Sequence, residues 1–283
     1  MSEHPLISIV VPTLNQARFI EQTLASITGQ NWPRTELIVI DGGSTDGTRE
    51  IVQRFPVAHF VSEPDRGQAD AINKGMRLAK GDILAWLNSD DYYLPLAFSR
   101  AVAALGDLSK PRLVYGGCLL LYEGENSAKL ARPHPFDAAE LTYHDFIHQP
   151  ATFWTRALWE KTGELNLDFH YVLDWDFWLR ATQHGELLPL DECLAVYRFH
   201  DAHKTGGNSS KRTEEMVSFV DHHGNAEAKA AFHAVAGRLT EMGRSWDRWS
   251  RNGGYRWHKL RHLDLYTRHK EALVNLALWQ LHI

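Results

Sequence analysis

Within about the first hundred residues, a short β-branched run gives way four times to a polar cluster, which three times leads into a helical pattern. Ile7 to Val11 is stopped by Pro12, and Phe19, Ile20, Leu24 and Ile27 follow with a helical period. Leu37 to Ile40 leads into the turn Asp41-Gly42-Gly43-Ser44-Thr45-Asp46-Gly47, where Asp46 is suited to cap a helix running through Phe55. His59 to Val61 precedes a helix over Ala69 to Leu78, and Ile83 to Leu87 ends abruptly at Asn88-Ser89-Asp90-Asp91. Strand–helix units in this rhythm build an α/β fold, a mostly parallel central sheet flanked by helices. Such sheets bind ligands beyond the carboxyl ends of their strands. Thr13, Asn15, Asp41, Asp65, Arg66 and Asn88 to Asp91 are therefore expected to converge on one crevice.

The middle of the chain is mixed. Leu113 to Gly117 and Cys118 to Tyr122 read as two strands paired around a turn. Thr155 to Lys161 reads as a short helix ended by Gly163, and Asp174 to His184 as a second one closed by Gly185. Leu187 to Pro189 and Leu194 to Phe199 read as strands, and the pattern is helical from Lys211 onward. This predicts a catalytic domain over 1–207, with halves at 1–105 and 106–207, and a C-terminal helical extension over 208–283.

A net charge of −5 gives no reason to expect a nucleic-acid partner. The two cysteines, Cys118 and Cys193, lie in apolar runs without zinc-site spacing, so buried reduced thiols are expected. Met1 to Leu6 does not read as a signal peptide, and no apolar run reaches the roughly 18 residues of a membrane span. A cytoplasmic setting is the expectation.

Two clusters draw attention for their chemistry. Asn88-Ser89-Asp90-Asp91 puts adjacent carboxylates at a strand end, which suits Mg²⁺ or Mn²⁺ held by one or two carboxylates plus substrate phosphates. A polar turn capping the next helix is the other reading, and the residues alone do not separate the two. Gly42, Gly43 and Gly47 match neither G-x-G-x-x-G nor a P-loop, so they read as a tight turn requiring positive φ.

Four segments carry a resemblance. Ile7-Ser-Ile-Val-Val-Pro-Thr-Leu-Asn15 resembles the opening of family 2 glycosyltransferases, which have the GT-A, Rossmann-like fold. Ile38-Val-Ile-Asp-Gly-Gly-Ser-Thr-Asp-Gly-Thr48 and Glu63-Pro-Asp-Arg-Gly-Gln-Ala-Asp-Ala-Ile-Asn-Lys-Gly75 resemble the family's next two signatures, in the family's order. Gly81-Asp-Ile-Leu-Ala-Trp-Leu-Asn-Ser-Asp-Asp91 resembles the segment with its D-x-D metal motif. In the second half, Leu173-Asp174-Trp175-Asp176-Phe177-Trp178-Leu179-Arg180 resembles the acidic pair that opens a W-L-R helix, and Tyr197-Arg198-Phe199-His200 the Y-R-x-H element.

The resemblance, to the inverting, WcaA-like polysaccharide-assembling type, implies roles. Thr13 and Asn15 would lie near the nucleotide and Asp41 would accept from its base. Asp65, Arg66 and Gly67 would line the donor pocket, with Asp70 and Asn73 nearby. Asn88 and Ser89 would face the nucleotide sugar. Asn88 replaces the first acid of D-x-D, so Asp90 becomes the direct ligand of Mn²⁺ or Mg²⁺, with His200 near metal and diphosphate. Asp91 is equally suited to helix capping.

Asp174 falls on the catalytic base, with Phe177 and Trp178 as an apolar wall that would raise its basicity. Asp176 is suited to an ion pair with Arg180 at i+4. His148-Gln149 falls where an acceptor could approach. The implied reaction is single-step, inverting transfer from a UDP-, GDP- or dTDP-linked sugar to a glycan or lipid-linked acceptor. The rival readings are a sugar-nucleotide pyrophosphorylase and a catalytically inactive nucleotide-sugar or glycan-binding module. Finally, residues 244–270 hold eight Lys or Arg against two Asp, interleaved with Trp246, Trp249, Tyr255 and Trp257. That composition suits peripheral contact with an anionic membrane, and equally a helical appendage packed on the protein or in a homodimer.

Overall fold

The computed structural model describes residues 4–201, 204, 210–239, 264, 269, 270, 272 and 276. The basic, aromatic segment 244–270 lies outside the described residues, apart from 264, 269 and 270. The chain divides into two compact units, Met1–Phe136 with Phe146–His203, and Asp137–Asp145 with Lys204–Ile283.

The first unit carries a nine-stranded sheet. Strands β1 (Ile7–Thr13), β2 (Thr35–Asp41), β3 (His59–Ser62) and β4 (Ile83–Trp86) run parallel, in the spatial order β3-β2-β1-β4. Every residue of β1 and β4 is buried, as expected of strands covered on both faces. Helices α1 (Ile20–Thr28), α2 (Thr48–Val52) and α3 (Gln68–Leu78) connect them. Helix α2 stops short of the expected Phe55, and its N-cap is Gly47 in the left-handed region at φ 95°. Asp46 still satisfies a first-turn donor, since its Oδ1 accepts from Thr48 N at 3.1 Å. Helix α3 lies close on β1 because Gly75 has no side chain: a Cβ there would meet Val10 Cγ1 at 2.4 Å.

Beyond β4 the sheet becomes mixed. The short strand β5 (Tyr92–Tyr93) and helix α4 (Ala97–Leu105) lead to β6 (Arg112–Tyr122), β7 (Ser127–Ala131) and β8 (Thr152–Thr155). Helices α5 (Arg156–Thr162) and α6 (Leu173–Ala181) then precede β9 (Glu186–Phe199). The order continues β4-β8-β6-β9-β5, with β7 on β6. Strand β8 is antiparallel to both β4 and β6, whereas β6 and β9 run parallel. The expected turn between Gly117 and Cys118 is absent, and β6 continues through Gly116 and Gly117 as one strand. Those glycines mark close approach instead: a Cβ on Gly116 would meet Leu194 Cγ at 2.6 Å, and one on Gly117 would meet Ala131 O at 2.7 Å. The two strands expected within 187–199 are one bulged strand, its register against β6 shifting around Gly117.

An aromatic cluster joins the two halves of this sheet. Trp86, at the end of β4, stacks on Trp178 of α6 with centroids 5.5 Å apart. Trp154 of β8 meets Trp86 edge-on at 5.3 Å, and Phe177 lies 5.5 Å from Trp154. The segment leading into α6 is pinned by polar contacts. Both amide atoms of Asn73 bond the backbone of Leu165 at 2.9 Å, and Arg180 donates to Thr162 O and Glu164 O.

In the second unit, α7 (Ser210–His223) and α8 (Ala226–Ala236) form a helical pair. Asn225 caps α8, its Oδ1 accepting from Ala228 N at 2.8 Å. Met216, Phe219, Val220, Phe232 and Val235 are buried. Among the described residues, no helix is long and apolar enough to cross a membrane.

The contact at Gly75 gives a test of this packing. Gly75→Ala should destabilise the chain by about 1–3 kcal/mol through overpacking against β1. Gly124→Ala, with nothing within 4 Å of its added methyl, should stay within about 0.5 kcal/mol of wild type. Chemical denaturation of both variants checks it.

Candidate active site

The loops at the carboxyl ends of β1 to β4 are bonded to one another. Asn15, at φ 52°, donates its backbone N–H to Ser44 Oγ at 2.7 Å and accepts from Thr45 N through Oδ1 at 2.9 Å. Gln16 N donates to Thr48 Oγ1 and Ala17 N to Asp46 Oδ2, so the loop after β1 rests on the loop after β2. Gly43 and Gly47 have φ of 96° and 95°, as the tight-turn reading requires.

Asp41 does not open onto the crevice as expected. It is fully buried, and its two oxygens accept from Ser44 N, Ser44 Oγ and Ser62 Oγ. The carboxylate thereby ties β2, its turn and β3 together. Thr13 is also buried, and its hydroxyl has no hydrogen-bond partner among the described residues.

The loop after β3 folds over the same turn. Asp65 Oδ1 accepts from Gly67 N at 2.8 Å, while its Oδ2 occupies the space above Gly42, where a Cβ would approach it to 2.7 Å. Gly42 is needed for that approach and has no positive φ, unlike Gly43. Gly67, at φ 112°, begins α3. Asp70 turns back on its own helix: it accepts from Arg66 N and Arg66 Nη2 and lies 3.6 Å from Lys74 Nζ. The Arg66 hydrogen bond and the two cations hold its carboxyl below the usual range. Arg66 remains exposed. Gln68, a residue the sequence reading passed over, donates from Nε2 to Asn88 Oδ1 at 2.6 Å and links this loop to the next.

The turn after β4 carries the acidic pair, and its two members have different surroundings. Asp90 reaches outward, with Oδ2 3.1 Å from His200 Nε2; its side chain is 19% exposed, whereas that of His200 is 1% exposed. The His200 ring lies against Phe19, with centroids 4.2 Å apart. Asp91 is fully buried, its Oδ1 accepting from Arg198 N at 2.9 Å. Burial and the neighbouring charge of Asp90 push its carboxyl well above the usual carboxylate range, opposed by Arg198. Helix capping is therefore not its role. Thr23 Oγ1 donates to Ser89 O and Asp91 O at 2.9 and 2.7 Å, and Ser89 is buried. Phe19 looked like an ordinary member of an amphipathic helix and Thr23 carried no local signal; only contacts distant in sequence show what they support.

Asp174 stands in the first turn of α6, half-buried, with Oδ1 accepting from Trp175 N at 2.9 Å. Asp176 is buried and paired with Arg180 Nε at 2.8 Å, as the i+4 spacing implies. Phe177 and Trp178 belong to the aromatic cluster that seats α6 on the end of β4. Gln149 is buried and donates to Trp86 O at 2.9 Å, fixing the end of the same strand.

The arrangement can therefore offer one carboxylate oxygen and one imidazole nitrogen, Asp90 and His200, to one side of a divalent cation. That donor set suits a divalent cation of the Mn²⁺ or Mg²⁺ kind.

Residues 8–158 match the model of the family described as Glycosyl transferase family 2. The chain is similar to the PGL/p-HBAD biosynthesis glycosyltransferase of Mycobacterium tuberculosis, with 33% identity over 192 residues, covering 65% of this chain and 72% of the relative. Among solved structures it resembles the mannosyltransferase PcManGT from Pyrobaculum calidifontis, in complex with GDP-Man and Mn²⁺: TM-score 0.64, 21% identity, 99% of this chain and 88% of that one. It also resembles S. aureus TarS 1-349 in complex with UDP, at TM-score 0.58 and 18% identity, over 96% of this chain and 80% of that one. Against a longer TarS chain it spans 38% of the length. At these identities the structural likenesses establish the fold, which is the GT-A fold.

The seat of Asp65 over Gly42 gives a test of this face. Gly42→Ala should displace the carboxylate while leaving the melting temperature within a few degrees. Where Asp65 accepts a hydrogen bond from the nucleotide, its displacement should weaken nucleoside diphosphate binding about fivefold in calorimetric titration. Unchanged affinity would show that Asp65 does not meet the nucleotide.

Proposed function

The chain belongs to glycosyl transferase family 2, and from that premise we propose that it is an inverting, divalent-cation-dependent enzyme. It moves a sugar from a UDP-, GDP- or dTDP-linked donor to a hydroxyl of a glycan or lipid-linked acceptor. The observation that carries this reading is the pairing of Asp90 Oδ2 with His200 Nε2 at 3.1 Å, beyond the carboxyl end of β4. The Mn²⁺ and GDP-Man in PcManGT support manganese and a nucleotide-sugar donor.

Each residue then has a task. Thr13, whose buried hydroxyl has no partner among the described residues, supplies a hydrogen bond to the nucleotide. Asn15 and Asp41 fix the shape of the base-binding loops, and Asp65, Arg66 and Gly67 line the donor pocket. Asp70 holds Arg66 in that pocket. Asn88 and Ser89 face the ribose and sugar, with Gln68 orienting the Asn88 amide. Asp90 and His200 hold the cation, which when bound supplies charge neutralisation at the departing diphosphate. Asp174 accepts the proton of the acceptor hydroxyl. The acceptor oxygen bonds to the anomeric carbon from the face opposite the diphosphate, the carbon–phosphate oxygen bond breaks, and the configuration inverts.

In this reading 1–207 is the catalytic domain and 208–283 a helical extension. The name of the mycobacterial relative supports a role in polysaccharide or glycolipid assembly for the cell envelope. The basic, aromatic composition of 244–270 supports peripheral contact with the cytoplasmic membrane face.

Asp174→Asn is the direct test. It should lower the transfer rate about 10²–10⁴-fold while leaving nucleoside diphosphate affinity at the wild-type value. The wild-type product should carry the anomeric configuration opposite to the donor's, read by NMR. Undiminished transfer in the variant, or a retained configuration, would refute the assignment.

A further inference from the structure

Asp91 lies beside the proposed cation ligand yet faces the interior. Strands β5 and β9 pair antiparallel only as far as Tyr92 with Val196. Beyond that point the chain turns through Asn88 to Asp91, with Asp91 N donating to Asn88 O at 3.1 Å. No main-chain acceptor from β5 continues the ladder towards Arg198. The Asp91 side chain takes its place: Oδ1 accepts from Arg198 N at 2.9 Å, across 107 residues of sequence.

The bond ties the turn to β9 one residue from Asp90 and two from His200. From the other side Thr23 Oγ1 grips Ser89 O and Asp91 O. The Arg198 side chain is held as well, by Gln22 and over the rings of Phe19 and Tyr92 at 4.8 and 5.2 Å. Phe19 in turn backs the His200 ring. Every element that carries Asp90 or His200 is thus fastened to its neighbour by a buried contact.

We propose that Asp91 is a positioning residue, a hydrogen-bonded brace that, with Thr23, holds Asp90 and His200 in register to share one divalent cation. Asp91 has no exposed surface and does not reach the crevice, so it acts through the backbone of β9 and not as a ligand. The inference rests on the reading of Asp90 and His200 as cation ligands. The brace depends on an acceptor atom, so an amide oxygen can replace the carboxylate.

The test is Mn²⁺ binding by the full chain in the presence of GDP, UDP or dTDP, followed by the electron paramagnetic resonance signal of free Mn²⁺. Wild type, Asp90→Ala, Asp91→Asn, Asp91→Ala and Thr23→Val are compared, with circular dichroism to verify folding. Asp91→Asn should bind like wild type, whereas Asp91→Ala should bind about 10–100-fold more weakly, the range for loss of a group that orients a ligand. Thr23→Val should weaken binding in the same direction, and decides the matter if Asp91→Ala does not fold. Asp91→Asn as weak as Asp90→Ala would mean that Asp91 acts through its charge, and would overturn the proposal. Wild-type affinity in Asp91→Ala, or in Thr23→Val where that variant decides, would overturn it too while leaving Asp90 as a ligand. No Mn²⁺ binding by wild type with any of the three nucleotides would remove the ligand reading itself, and the brace with it.

Discussion

The two halves of the large unit hang on the hydrogen bonding of β4. One edge of this four-residue strand pairs parallel with β1, and the other pairs antiparallel with β8. A parallel sheet thereby meets a mixed one without an interface between separate sheets. Because β4 is buried on both faces, its position is set by the core, and the turn that follows it inherits that position. Trp86 extends the constraint to α6 by stacking on Trp178. The acidic turn and the helix bearing Asp174 are thus referred to one strand end. Neither depends on an exposed loop for its place.

Around this axis the same residue type does four different things, and burial with partners decides which. Asp41 has lost all exposure and spends its oxygens on Ser44 and Ser62, so it shapes a loop. Asp70 is satisfied by Arg66 and Lys74 and stabilises a helix start. Asp91 is enclosed, and desolvation raises its carboxyl far above the ordinary range. Asp90, one residue away, keeps partial exposure and faces an imidazole. A site that must collect charge on a cation and a diphosphate can include only carboxylates that still reach solvent; the buried ones serve by fixing backbone.

The first hundred residues were legible because β1, β2 and β4 are buried along almost their whole length and the helices are amphipathic, so period and turn chemistry agree there. The second half was less so. Gly116-Gly117 looks like a turn in sequence, but crowding by Leu194 and Ala131 makes it a strand interior. In Leu190-Asp191-Glu192-Cys193 a bulge looks like a break between two strands. Within the site, local rules revealed the pair Asp176–Arg180, since i+4 spacing is visible in a sequence. They could not reveal Asp91 against Arg198, Asn73 against Leu165 or Gln68 against Asn88, because these partners meet only after the sheet has formed. Family motifs pointed to residues at the strand ends, but not to which of them have oxygens already taken by the protein.

On the proposed reading, Asp90 with His200 couples a divalent cation to a nucleotide sugar. The most direct measurement is nucleoside diphosphate release from a panel of UDP-, GDP-, dTDP- and CDP-sugars, with Mn²⁺ or Mg²⁺ and no acceptor, in wild type and Asp90→Ala. Wild type should show slow, metal-dependent release from one donor class, and the variant none. Equal release by Asp90→Ala, or release indifferent to the metal, would contradict it.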